Sequence, residues 1–142
     1  MKILVPVDGS PASIRAVKLA VNHARANPEA SLVLMNVQNF SGLNLPEGTE
    51  IMPSAWVAQE EERAAGEALK EAVGTCREAG ISYVTRTERG GVAETIDRVA
   101  RDEHVQHIFM GTRGLGGVRG LLLGSVTTQV LHLVEVPVTL VK

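Results

Sequence analysis

Cysteine is nearly missing from the 142 residues: Cys76 stands alone, so neither an intramolecular disulfide framework nor a cysteine-rich zinc site can form. A reducing cytoplasm is the expected compartment. Aromatic residues are almost as scarce, at 3% (Phe40, Trp56, Tyr83 and Phe109), too few for a base-stacking platform of the kind RNA readers use. The core has to be built from Val, Leu, Ile and Ala. No apolar run approaches the roughly 18 residues that cross a bilayer. The apolar run after Met1 and Lys2 extends only from Ile3 to Val7 before Asp8 interrupts it, so neither a secretory leader nor membrane insertion is expected. An excess of positive charge is lacking too. Fourteen Lys and Arg oppose sixteen Asp and Glu for a formal net charge of −2, whereas nucleic acid and anionic membranes demand a clustered basic surface. No nucleic-acid partner is expected.

What is present is a globular composition, 44% hydrophobic and 21% charged, on a length that suits one domain over residues 1–142. Lys2 to Val7 is short, apolar and β-branched and reads as a buried strand. Asp8-Gly9-Ser10-Pro11 is a turn followed by an N-cap serine and a proline at the first helical position, where its missing N–H costs nothing. The helix expected over about Ala12 to Arg25 turns Ile14, Val17, Ala20, Val21 and Ala24 inward. Ser31 to Val37 is a second buried strand, and the two strands with their helix make a βαβ unit.

Gln38 to Ser54 carries Gly42, Pro46, Gly48 and Pro53 with little periodicity and reads as a long loop. A helix follows over about Ala55 to Ala79, with Ala58, Ala65, Leu69, Ala72, Val73 and Cys76 on its inner face. Ile81 to Thr87 is expected as the third strand, Gly90-Gly91 as the opening of a helix that runs through about Asp102 with Val92, Ile96, Val99 and Ala100 inward, and Val105 to Met110 as the fourth strand. A last helix over about Ser125 to Val134 and a strand over Val136 to Val141 complete the chain.

Strict alternation of this kind predicts an α/β fold: an open, doubly wound, five-stranded parallel sheet with helices on both faces, Rossmann-like. Ligands of such sheets bind beyond the carboxyl ends of the strands, where the winding reverses. The loops Asp8 to Ser10 and Gly111 to Gly124 are then expected to share one crevice.

Six of the fourteen glycines, at 111, 114, 116, 117, 120 and 124, fall in the segment GTRGLGGVRGLLLGSVTT, the last just before a helix. Glycine lets an oxyanion approach the backbone, and helix N-terminal N–H groups favour negative charge. Arg113 and Arg119 add positive charge, while Ser125, Thr127 and Thr128 add hydroxyls. A phosphate fits this segment, and a ligand-free glycine-rich loop is the plainer alternative. Neither a Walker A loop nor the dinucleotide pattern Gly-x-Gly-x-x-Gly is present.

The spacing Gly111-x2-Gly114-x9-Gly124-Ser125, with the opening ILVPVDGS and the closing VPVTLVK, resembles the universal stress protein family, specifically its ATP-binding branch, over the whole chain. The resemblance implies that Pro6, Val7, Asp8 and Val37 line the adenine and ribose of ATP or AMP. It also implies that Met110 and Gly111 form the floor beside the ribose. Gly114, Gly124, Ser125, Val126 and Thr127 would hold the phosphates through backbone N–H groups and hydroxyls, with Mg²⁺ accompanying them. Asp8 has two readings, a contact to ribose or to a phosphate-bound Mg²⁺, and a cap on its own turn.

Other residues read as structural. His23, His104, His107 and His132 have no metal-ligand spacing and are expected at surface or boundary positions. Cys76 is expected as a small buried hydrophobe, Glu60, Glu61 and Glu62 as a solvated face, and Trp56 as a loop anchor or lid contact. The last strand is apolar on both alternating sets, and its greasy edge predicts a homodimer through residues 136–141, the contact the family resemblance also implies.

The function expected is that of a cytoplasmic adenine-nucleotide-binding stress or regulatory protein whose contacts with an unknown regulatory protein partner change with occupancy. Two alternatives remain at this point: a slow ATPase or phosphotransferase, and a dimeric interaction module that binds no nucleotide. The glycine-rich segment has no lysine and no convincing base for water beside it, so at most weak hydrolysis is expected.

Overall fold

The computed structural model describes residues 1–38, 54–113 and 123–142. Strands and helices alternate as β1 (Lys2–Pro6), α1 (Pro11–Arg25), β2 (Ser31–Gln38), α2 (Ser54–Ala79), β3 (Tyr83–Arg89), α3 (Val92–Asp102), β4 (His107–Gly111), α4 (Ser125–Leu133) and β5 (Val138–Val141). The described strands form one sheet in the order β3-β2-β1-β4-β5, every neighbouring pair parallel. The fold is therefore the doubly wound α/β arrangement that the alternation predicts.

Side chains of a strand alternate between faces, and the core divides accordingly. Ile3, Val5, Leu32, Leu34 and Phe109 pack under α1 and α2. Leu4, Val33, Met35, Ile108 and Met110 pack under α3 and α4. The stripe read for α1, Ile14, Val17, Ala20, Val21 and Ala24, is buried throughout. Its start is capped as expected: Ser10 is extended (φ −67°, ψ 153°), its hydroxyl accepts from the Ser13 N–H at 3.2 Å, and Pro11 opens the first turn.

Several local expectations need correction. Strand three begins at Tyr83, not Ile81, strand four at His107, not Val105, and strand five at Val138, not Val136. These offsets are of the size that strand ends commonly show, because a ladder starts where a neighbour offers a partner and not where the apolar run begins. The inner stripe of α2 starts with Glu61 and not with Ala58: Ala58 is exposed, whereas Glu61 is 7% exposed and paired with Arg89 at the end of β3. Twenty-six residues of helix are about 39 Å long, against about 26 Å for the eight residues of β2, so the first turns of α2 overhang the sheet. Glu61 and Arg89 meet at that overhang, and the acidic run is a solvated face only in part.

The two sheet edges differ in chemistry. Along β3, Arg86 pairs with Glu88 at 2.6 Å and Glu103 at 2.7 Å, and Glu103 also pairs with Lys2 at 2.9 Å. β5, with the sequence VTLV, carries no charge.

Candidate functional site

β1 and β4 separate before either strand ends. Their register holds only Ile3 with His107 and Leu4 with Ile108, although β1 runs on to Pro6 and β4 to Gly111. The Lys2 carbonyl accepts from the Gln106 N–H, so Lys2, Leu4 and Pro6 turn their backbone groups toward β4. Pro6 has no N–H to extend that ladder. The sheet splits at its switch point, where the β1–α1 crossover goes one way and the β3–α3–β4 crossover the other.

A cleft of about 660 Å³, counting its open mouth, occupies the split. Met35, Val37, Val92, Ile96, Met110 and Val126 make an apolar floor, and Asp8, Ser10, Ser13, Asn36, Arg113 and Thr127 supply polar groups. An apolar slot with a few convergent polar groups is the usual form of a small-molecule site.

One wall is the turn after β1. Gly9 has φ +83°, a conformation that a side chain resists, and the Asp8 carboxylate Oδ1 accepts from the Ser10 N–H at 2.9 Å. The turn-capping reading of Asp8 is thus realised in the same residue that lines the cleft. The opposite wall is the start of α4. The Gly124 N–H donates to the Thr112 carbonyl at 2.7 Å. The buried Thr127 hydroxyl lies 3.2 Å from the Gly111 carbonyl and 3.1 Å from that of Thr112. These two groups tie the helix start to the end of β4. What the first turn offers an anion is its backbone N–H groups at Ser125, Val126 and Thr127, which have no acceptor within the helix.

Of the positions singled out from the sequence, Pro6, Val7, Asp8, Val37, Met110, Gly111, Val126 and Thr127 line the cleft. Gly124 and Ser125 stand at the start of α4, outside that lining, and Gly114 lies outside the described residues. Sequence reasoning missed Met35, Asn36, Ser13, Val92 and Ile96. Asn36 had a signal, interrupting the apolar run from Leu32 to Val37. The apolar stripe of α3 turns Val92 and Ile96 inward, but only the crossover to β4 brings that face to the cleft.

Beyond the cleft, His23 and His107 come together with Phe109, although they are far apart in the chain. The ring centroids lie 5.7 Å apart for the two histidines and 4.5 Å apart for His107 and Phe109. His107 Nε2 is 2.8 Å from the Thr139 hydroxyl. Burial, and then the neighbouring His23, hold the His107 pKa below the usual histidine value. Burial raises the Cys76 thiol to about 11. Trp56 is exposed. Among the described residues no three His, Cys, Asp or Glu side chains gather as a metal site, and no helix is long and apolar enough to cross a membrane.

The sequence profile of the universal stress protein family matches residues 1–142. The chain belongs to that family. The universal stress protein MJ0531 of Methanocaldococcus jannaschii is 34% identical over 99% of this chain and 81% of its own length. A universal stress protein of Mycolicibacterium smegmatis is 30% identical over 98% of this chain, which covers 47% of that longer protein. Among solved structures, a universal stress protein crystallised in complex with cAMP superposes with a TM-score of 0.72 at 26% identity, covering 100% of this chain and 97% of the other. In this universal stress protein, the sheet order, the split between β1 and β4 and the start of α4 together define the cleft.

Proposed function

We propose that this universal stress protein binds an adenine nucleotide, ATP or AMP, in the cleft between β1 and β4. The observation that carries the reading is the pairing of an apolar slot with a helix start in one cleft: Met35, Val37, Ile96 and Met110 suit a planar base, and the first turn of α4 suits a phosphate. Asp8, on the wall opposite the start of α4, fits a ribose hydroxyl or a Mg²⁺ ion that arrives with the phosphates. The likeness to a relative crystallised with cAMP supports the same class of ligand. Val37 is a residue of β2 beyond the end of β1, so its backbone N–H and carbonyl face the base end of the cleft.

Binding is favoured over turnover. Among the described residues, Asp8 is the one carboxylate that lines the cleft, and the Ser10 N–H already holds one of its oxygens. An efficient hydrolase needs a base placed for water in addition. In this proposal the protein acts in the cytoplasm as a homodimer and alters its contacts with a regulatory protein according to occupancy. The dimer contact assigned is β5, where Val138 and Leu140 turn their backbone groups away from β4 and no charge guards the edge.

Mass spectrometry of small molecules released from freshly purified, denatured protein tests the ligand, with titration calorimetry against AMP and Mg²⁺-ATP as the second measurement. Recovery of an adenine nucleotide, or micromolar binding of either one, is expected. No release together with no heat at millimolar nucleotide would overturn the reading.

A further inference from the structure

Asn36 is a buried side-chain amide, 4% exposed, in an apolar strand. Its Nδ2 donates to the Val7 carbonyl at 2.8 Å, and its Oδ1 accepts from Gln38 Nε2 at 2.5 Å. That carbonyl is where the β1–β2 ladder would continue. β2 turns its odd-numbered residues toward β1: the Ser31 N–H donates to the Met1 carbonyl, and the Met35 carbonyl accepts from the Val7 N–H. The next rung of a parallel ladder would run from the Val37 N–H to the Val7 carbonyl. Asn36 holds that carbonyl instead, and among the described residues no backbone carbonyl receives the Val37 N–H.

We propose that Asn36 is a positioning residue for base selectivity: by engaging the Val7 carbonyl with its side chain, it keeps the Val37 N–H out of the ladder and directed into the cleft. The inference rests on the adenine-nucleotide reading and extends it to how the base is chosen. Adenine presents an acceptor, N1, beside a donor, the N6 amino group. One strand residue offering N–H and C=O is complementary to that edge. Hypoxanthine and guanine present the reverse, N1–H beside O6, so a Val37 N–H held toward the cleft opposes them. Gln38 supports the arrangement by fixing the Asn36 carbonyl, so that its amide nitrogen points at Val7.

The test compares wild type with Asn36→Leu, which keeps the volume and removes the donor, and Asn36→His, which restores a ring N–H. The first readout is amide hydrogen exchange without nucleotide. The Val37 amide is expected to exchange rapidly in wild type and at least tenfold more slowly in Asn36→Leu, where it closes onto the Val7 carbonyl. The second readout is the ratio of AMP to IMP affinity, expected to fall about tenfold in Asn36→Leu, the scale of one lost hydrogen bond, and to recover in Asn36→His. A protected Val37 amide in wild type, or an unchanged AMP to IMP ratio in a folded Asn36→Leu, overturns the proposal. If Asn36→Leu fails to fold, wild-type exchange and Asn36→His decide it. Wild type that binds neither AMP nor IMP removes the nucleotide reading and the selectivity role with it, while Val37 exchange still reports whether Asn36 holds the ladder open.

Discussion

A β-carbon on Gly111 would lie 2.9 Å from the Cβ of Ala12 and 3.2 Å from its carbonyl carbon, so the end of β4 packs directly on the first turn of α1. Backbone atoms on one side leave little room to relax. Gly111→Ala is expected to cost about 1–3 kcal/mol, the scale of overpacking in a closed core. Urea denaturation followed by circular dichroism measures it. An unchanged midpoint would show that α1 can shift, and that Gly111 is there for the ligand alone.

Asp8 serves the turn and faces the cleft, and two substitutions separate these tasks. Asp8→Asn keeps an oxygen for the Ser10 N–H, so its stability should stay closer to wild type than that of Asp8→Ala, which loses about 1 kcal/mol with the cap. If the carboxylate contacts ribose or Mg²⁺, both variants weaken nucleotide binding, by about tenfold or more. Affinity retained in both Asp8→Asn and Asp8→Ala would leave Asp8 with the turn only.

Acid should weaken the fold through His107. Its folded-state pKa lies below the ordinary value of 6.5, first because burial disfavours the charged ring and then because His23 adds a like charge. As pH falls through the window just below 6.5, the unfolded chain takes up the proton before the folded one does, so native stability drops; above that window both states are neutral there and the effect vanishes. Burial pulls Glu88 upward, but Arg98 and Arg86 hold it lowered overall, and Lys2 and Arg86 lower Glu103, so the stability these carboxylates add is lost only at pH below 4.5. Urea midpoints taken between pH 5 and 8 should therefore slope in wild type and flatten in His107→Asn. Parallel slopes in the two proteins would discard this assignment.

The proposed dimer depends on backbone groups that alternate along β5. The Pro137 carbonyl accepts from Ile108 and the Val141 carbonyl from Thr112, so the odd positions face β4 and Leu140 faces outward. Leu140→Pro removes an outward N–H without touching the inner ladder. Light scattering should give twice 15.1 kDa for wild type and a value near 15.1 kDa for the variant. A monomeric wild type at micromolar concentration would refute the contact.

Cys76 is fully buried and its thiol is pushed up to about 11, so almost none of it is thiolate at neutral pH. Ellman's reagent should react with native protein at least a hundredfold more slowly than with protein in urea. Rapid native labelling would mean that α2 opens from the sheet on the same timescale.

The placement of Glu61 shows where reading by pattern runs out. Its two neighbours look identical in sequence, yet Glu61 is buried against Arg89 because α2 outruns the strands it covers. The histidines teach the same lesson: their spacing along the chain had no means of showing that α1 lays His23 over His107. Gly124 differs again. Its proximity to a helix start was legible, but its N–H is spent on Thr112 and a side chain there would meet the Thr112 carbonyl at 3.4 Å, a matter of packing that no spacing encodes.

Alternating apolar runs and a Ser-Pro helix start determined which segments form strands and helices and that the two alternate, because each of these follows from bonding and sterics within a few residues. Only the tertiary structure decided that β1 and β4 part beyond Leu4, that Val92 and Ile96 floor the resulting cleft, and that Asn36 takes the carbonyl a ladder would have used. These are contacts between segments distant in the chain. Their geometry depends on how helices of unequal length settle on a twisted sheet.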